Sequence, residues 1–174
     1  MMEDCYAESN VKRKSGAREA LILASMILGV LVSITVIFLS KWGILLLAAV
    51  ILVIIFTYRY VKVEYETIFV GGEIQIDKIY SGETRKKGPR VDLSNAETVE
   101  QATESFLETI RKNPEVKIED YSSHTDNPNK YAVLFNEKGA RKCLLFEPSD
   151  KMLKLMYRIS PSKVKVPREI LLQK

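Results

Sequence analysis

"FLSKWGILLL", residues 38–47, sets one lysine inside the most apolar part of the chain, and its reading decides the fold. From Ala20 to Tyr58, Lys41 is the only charged residue. A single helix of that length would rise roughly 58 Å at about 1.5 Å per residue. A bilayer core is only about 30 Å thick. Two antiparallel spans fit instead, residues 20–39 and 44–60, with Arg59 snorkelling at the far interface and Tyr58 and Tyr60 marking it. Ser40-Lys41-Trp42-Gly43 is then the turn of a transmembrane α-helical hairpin. Gly43 can take a positive φ, Lys41 can reach headgroups, and the amphipathic ring of Trp42 suits an interface. The competing reading is a helical hairpin buried in a soluble core.

The chain-wide hydrophobic share of 47% averages two unlike parts. The 174 residues divide into an N-terminal tail (1–19), the hairpin (20–60), one domain (61–160) and a basic tail (161–174). A cleaved signal peptide competes for the first apolar run, since Lys12, Arg13, Lys14 and Arg18 precede it, but no small-x-small cleavage site follows. Lysine and arginine flank the outer ends of both spans, whereas the turn carries Lys41 alone. Both termini are therefore expected in the cytoplasm of a multi-pass plasma-membrane protein. Cys5 and Cys143 then share a reducing compartment, where a structural disulfide is not expected. A net charge of +4, nearly balanced within the soluble part, does not call for nucleic acid.

Within the first span, Ser25, Gly29 and Ser33 recur every four residues and form a small-residue ridge on which another helix can pack closely. Its partner is either the second span, where Ala48 and Ala49 are also small, or a second copy of the chain. Neither span carries an internal acidic, basic or histidine residue of the kind that marks an ion or proton path.

The second span runs almost directly into "YVKVEYETIFVGGEIQIDKIY", residues 60–80. Val63, Tyr65, Thr67 and Phe69 alternate with polar residues, the period of a half-buried strand. Gly71-Gly72 suits a tight hairpin turn, and Ile74 and Ile76 continue in the returning strand. "RKKGPRVDL" is a third strand, placed at an edge or made irregular by Pro89. Ser94-Asn95-Ala96-Glu97 has capping-box spacing and predicts a helix over residues 95–112. "VKIEDYS", "KYAVLFN" and "RKCLLFE" read as strands, and "EPSDKMLKLMYRIS" reads as a helix that ends before Pro161.

The stretches "GGEIQIDKIYSGETRKK" and "KYAVLFNEKGARKCLLFEPSDKMLKLM", with the hairpin before them, resemble a Gram-positive bacterial family of two-span membrane proteins of unknown function. Its members carry a bacterial pleckstrin-homology-like (PH-like) cytoplasmic domain. The resemblance implies an α+β, mostly antiparallel β barrel or sheet with a C-terminal helix after the transmembrane hairpin. The helix expected at residues 95–112 departs from such a barrel and leaves an open α+β sheet as the second architecture.

Catalytic, metal and cofactor patterns are weak. His124 is the single histidine, in a polar loop near Asp126. Cys143 has basic neighbours and no positioned base. Gly71-Gly72 lacks the helix and lysine of a phosphate loop. The one charge cluster that stands out is Arg85, Lys86, Lys87 and Arg90, a contact for anionic lipid headgroups or a protein partner, or else a solvated edge that discourages strand pairing. The reading is a non-catalytic integral membrane protein whose domain binds protein or anionic lipid at the membrane surface, with no cofactor. Its alternatives are an accessory subunit of a larger membrane complex, held through the Ser25-Gly29-Ser33 ridge, and a membrane enzyme using Cys143.

Overall fold

The computed structural model describes residues 6–14, 16–40, 42–58, 62–125 and 127–172. The expectations for Cys5, Lys41, Arg59, Tyr60 and Asp126 fall outside them. The apolar stretch forms two helices packed on one another, α1 (Ala17–Leu39) and α2 (Gly43–Tyr58). The Glu19 carboxylate accepts the Gly16 N–H at 2.8 Å and so satisfies one free donor at the start of α1. At about 1.5 Å per residue α1 rises about 34 Å and α2 about 24 Å. Among the described residues only α1 is both long and apolar enough to cross a bilayer unaided, and α2 is a shorter apolar helix.

Gly43 does not use the positive φ open to a glycine. The turn needs a glycine for closeness instead. A Cβ at Gly43 would stand 2.4 Å from Ile37 N and 2.5 Å from Ile37 Cα, so α2 starts in contact with the backbone of α1.

The expected N-terminal tail is corrected. Tyr6–Lys12 is a strand, β1, antiparallel to β2 (Val63–Val70), with register from Tyr6↔Val70 to Lys12↔Glu64. The pairing continues past the strand end, where Arg13 N–H donates to Val63 C=O at 3.0 Å. The two helices therefore occupy the turn of a β-hairpin. β3 (Glu73–Tyr80) and β4 (Thr84–Asp92) complete a meander of order β1-β2-β3-β4. Gly71 and Gly72, at φ of 60° and 91°, make the expected β2–β3 turn. β4 is an edge strand with a register shift near Gly88 and Pro89, also as expected.

A second correction concerns residues 95–112. Asp92 accepts the Ser94 N–H at 2.7 Å and starts a single 3-10 turn, after which Ala96–Gln101 is strand β5. β5 pairs with a later strand on one edge, and on the other Val99 exchanges backbone hydrogen bonds with Lys163 and Lys165. Two-sided pairing that buries Val99 completely outweighs a capping box worth about 1 kcal/mol. The helix, α3, is only Glu104–Arg111.

β6 (Lys117–Asp120), β7 (Tyr131–Glu137) and β8 (Ala140–Phe146) follow, and the second sheet has the order β5-β7-β8-β6, with β6 parallel to β8. The closed barrel gives way to two four-stranded sheets. Phe69, Ile74 and Ile76 of the first sheet meet Val133, Leu144 and Phe146 of the second, joined by Met152 and Met156 of α4 (Asp150–Ile159). Ala132, Leu134, Cys143 and Leu145 on the opposite face pack under Leu107 and Ile110 of α3. The Ser149 hydroxyl accepts the Met152 N–H to cap α4, as its sequence predicts. The C-terminal stretch is no loose tail: Val164 bridges Val99, and Arg168–Leu172 forms α5.

Gly43→Ala is expected to cost about 1–3 kcal/mol by overpacking. At Gly29, whose added Cβ would lie 3.5 Å from Val50 Cγ1, alanine should cost well under that. Heat unfolding of the two variants in detergent checks the contrast, and equal losses would contradict it.

Candidate functional site at the hairpin end of the sandwich

Because α1 and α2 leave between Lys12 and Glu64, the register defines one end of the first sheet as the hairpin end. Lys12, Glu64, Ile79 and Arg85 share its first level, Val11, Tyr65, Lys78 and Lys86 the second, and Asn10, Glu66, Asp77 and Lys87 the third. Arg90 lies level with Glu8, about 13 Å beyond Lys12 at about 3.3 Å per residue.

The structure divides the predicted basic cluster. Arg85 bonds inward to the carboxylates of Glu66 at 2.7 Å and Asp77 at 3.8 Å. Glu66 is only 8% exposed, and the Glu66 oxygen facing Arg85 makes no aligned hydrogen bond, so the ion pair is its compensation. Lys87 and Arg90 project from the same outer face and make no ion pair among the described residues. Lys86 belongs to the opposite, inner phase, directly across from Lys78.

That inner phase holds residues the motif search missed. Along β3 it runs Ile74, Ile76, Lys78, Tyr80, from full burial to partial exposure. The alternation itself placed a lysine where a core residue belongs. Tyr65, 3% exposed, meets Tyr121 edge to face at 5.5 Å between ring centres. Lys78 Nζ stands 4.9 Å from the centre of the Tyr121 ring. Burial, aided by Glu119, pushes the Tyr121 phenol up to about 12. Burial also raises Tyr65, with Arg13 beside it acting in the opposite sense. Glu119 sits below the usual carboxylate range, first through its hydrogen bond with Lys117, 3.0 Å away.

The loop after β6 packs at this end. Buried Glu147 accepts the Ser123 N–H at 2.8 Å, its hydroxyl at 2.6 Å and the Asn127 amide at 2.7 Å. Ser123 C=O in turn accepts the Lys14 N–H at 2.8 Å, which ties the loop to the start of the helical insertion. His124, at φ 56°, lies 3.3 Å from Asp120. Among the described residues no group of three metal-binding side chains comes together.

The ridge residues face α2. Ser33 is fully buried, and Gly29 approaches Val50. Ser25 is exposed beside Ala49 and Val53, so the packing loosens away from the turn. The structure thus brings Gly29 and Ser33 onto the second helix of the same chain.

Cys143 is fully buried under α3, and burial pushes its thiol up to about 11 from an ordinary 9.0. The thiol stabilises the fold fully below pH 9, and that contribution is lost as pH rises from 9 towards 11, about 2–3 kcal/mol in all. The unfolding free energy of the wild type should fall by about that much more than that of Cys143→Ala between pH 8.5 and 11. At pH 8 the folded thiol should react with maleimide roughly a hundredfold more slowly than a free cysteine. Fast labelling in the folded protein would contradict both expectations.

No curated protein and no solved structure matches the chain. The profile of one family, described as a bacterial PH-like domain (DUF6106), matches residues 3–166. That range takes in β1, the inserted helices, both sheets and α4. The chain belongs to this bacterial PH-like domain family of unknown function.

Proposed function

We propose that the chain is an integral membrane protein with two antiparallel spans, α1 and α2, that holds its PH-like domain against the cytoplasmic surface as a non-catalytic binding module. The observation that carries this reading is the insertion of both helices into the β1–β2 turn. With Arg13 and Val63 bonded to each other, the two strands must stand at the surface from which the helices leave.

The distribution of apolar surface supports the spans. Among the described residues, all large exposed hydrophobics except Tyr6, Val70, Ile159 and Leu172 lie between Leu21 and Tyr58. Leu21, Ile27, Leu28, Phe38, Leu39 and Phe56 are each more than 60% exposed, and leaving them in water would cost on the order of 10 kcal/mol. That equals the whole net stability of an ordinary domain, so lipid and not water surrounds them. The shortness of α2 is met by its anchors, since Trp42 and Tyr58 stand at its two ends and interfacial rings tolerate mismatch. Cationic flanks Lys12, Arg13, Lys14 and Lys62 favour the cytoplasmic side for the domain.

The binding role rests on the free charges of this end. Lys78 and Lys86 have no carboxylate partner among the described residues, and each basic residue near an anionic leaflet contributes about 1 kcal/mol. The burial of Cys143 argues against the enzyme reading. The inward-facing ridge argues against its use by a partner subunit, because Gly29 and Ser33 are already covered by α2.

Replacing residues 15–61 with an Asn-Gly turn should leave a monomeric, water-soluble domain, since Arg13 and Val63 are already bonded across the two strands. Size exclusion and circular dichroism without detergent check this, and an aggregated or unfolded product would contradict it. In intact cells, a cysteine placed at exposed Gly139 should resist a membrane-impermeant maleimide, whereas ready labelling would reverse the proposed orientation.

A further inference from the structure

We propose that the mouth of the sandwich at the hairpin end, lined by Lys78, Tyr80, Lys86 and Tyr121 beside Arg13, is a binding site for the phosphate of an anionic lipid headgroup. The proposal rests on the membrane-surface reading above and deepens it.

Lys78 and Lys86 are cross-strand partners on the inner phase of the sheet. Like charges directly opposite one another destabilise an antiparallel pair, and this register repeats the phase of buried Ile76. An apolar or acidic residue at either position would remove the conflict. Nearby carboxylates do not resolve it either. Glu119 is engaged by Lys117 at 3.0 Å and by the Tyr121 hydroxyl, which donates to it at 3.3 Å. Asp120 accepts the Ser122 N–H at 2.8 Å and hydroxyl at 2.6 Å. Asp77 projects from the other face towards Arg85. Lys78 is left with only the Tyr121 ring, and Lys86 has no ion pair among the described residues.

An anion between the two ammonium groups would convert their repulsion into two charge-assisted contacts. The tether chooses the source of that anion. The Lys78–Lys86 pair lies one residue level in from Lys12 and Glu64, where the chain leaves for the helices, so the nearest anions are headgroups of the leaflet in which the chain is anchored. Half-buried Tyr121, braced edge to face by buried Tyr65, supplies a rigid amphipathic ring that suits a headgroup boundary.

The test uses the full-length protein reconstituted in nanodiscs of phosphatidylcholine with one part in four phosphatidylglycerol. It reads the lipids that remain bound by native mass spectrometry after transfer to detergent. The wild type should retain phosphatidylglycerol about tenfold above its share. The double variant Lys78→Gln, Lys86→Gln should lose that enrichment. The control Lys87→Gln, Arg90→Gln removes the same charge from the outer face and should keep it. Lys86→Gln alone alters an exposed side chain that the fold does not use, and should lower enrichment about threefold even if the double variant is unstable. Enrichment lost in the control and kept in the Lys78/Lys86 variant would overturn the mouth as the site while leaving the surface reading intact. No enrichment in the wild type would overturn both. Displacement of the bound lipid by millimolar glycerol phosphate added in solution would point to a free phosphate ligand and overturn the lipid assignment.

Discussion

The backbone pairing of β1 with β2 across the inserted helices is the constraint on which the rest depends. The chain leaves the sheet at Lys12, passes through α1 and α2, and re-enters beside its point of departure, with Arg13 N–H bonded to Val63 C=O. A tether at one point would leave a domain free to tumble. Two adjacent tethers from neighbouring strands fix which end of the sheet faces the inserted helices, and Lys14 extends the constraint to the loop after β6 by donating to Ser123. The helix turn mirrors this closure at its own scale, because Gly43 lets α2 begin against Ile37. Closure at both ends holds the two inserted helices against one another.

The charges sort themselves by the same geometry. On the outer face of the first sheet Arg85 serves the nearly buried Glu66, a compensation whose loss would leave an unpaired carboxylate. Exposed pairs elsewhere, such as Lys165 with Glu100 and Arg141 with Glu97, contribute about 0–1 kcal/mol each and do not decide the fold. Lysines without carboxylates collect where β3 and β4 reach the hairpin end. The same rim gathers unpaired lysines and tyrosine rings, while the thiol lies buried under α3 and the histidine stands near Asp120.

Much of this was legible in the residues. Period-two alternation located β2 and β3, Gly71-Gly72 their turn, Pro89 the irregular edge, and Ser149 the start of α4. The apolar run with one lysine located both helices. Two features stayed hidden because their cause is distant in sequence. "YAESNVK" has little apolar content, and its partner lies beyond the whole helical insertion, so nothing local marks it as a strand. "SNAE" offers a good helix start, but its neighbours are claimed by β7 on one side and by residues 163–165 on the other. The basic cluster was visible as a run, yet the run mixes two faces. Separating Arg85 and Lys87 from Lys86 needed the strand phase, and pairing Lys86 with Lys78 needed the register.

Amide hydrogen exchange across residues 6–13 of the full-length protein in nanodiscs tests the central claim most directly. In an antiparallel pair that includes Arg13 and Val63, alternate amides are bonded, so those of Ala7, Ser9, Val11 and Arg13 should be protected like those of β2. Exchange of these amides at the rate of an unstructured peptide would make residues 6–13 a tail, release one of the two tethers, and contradict the account.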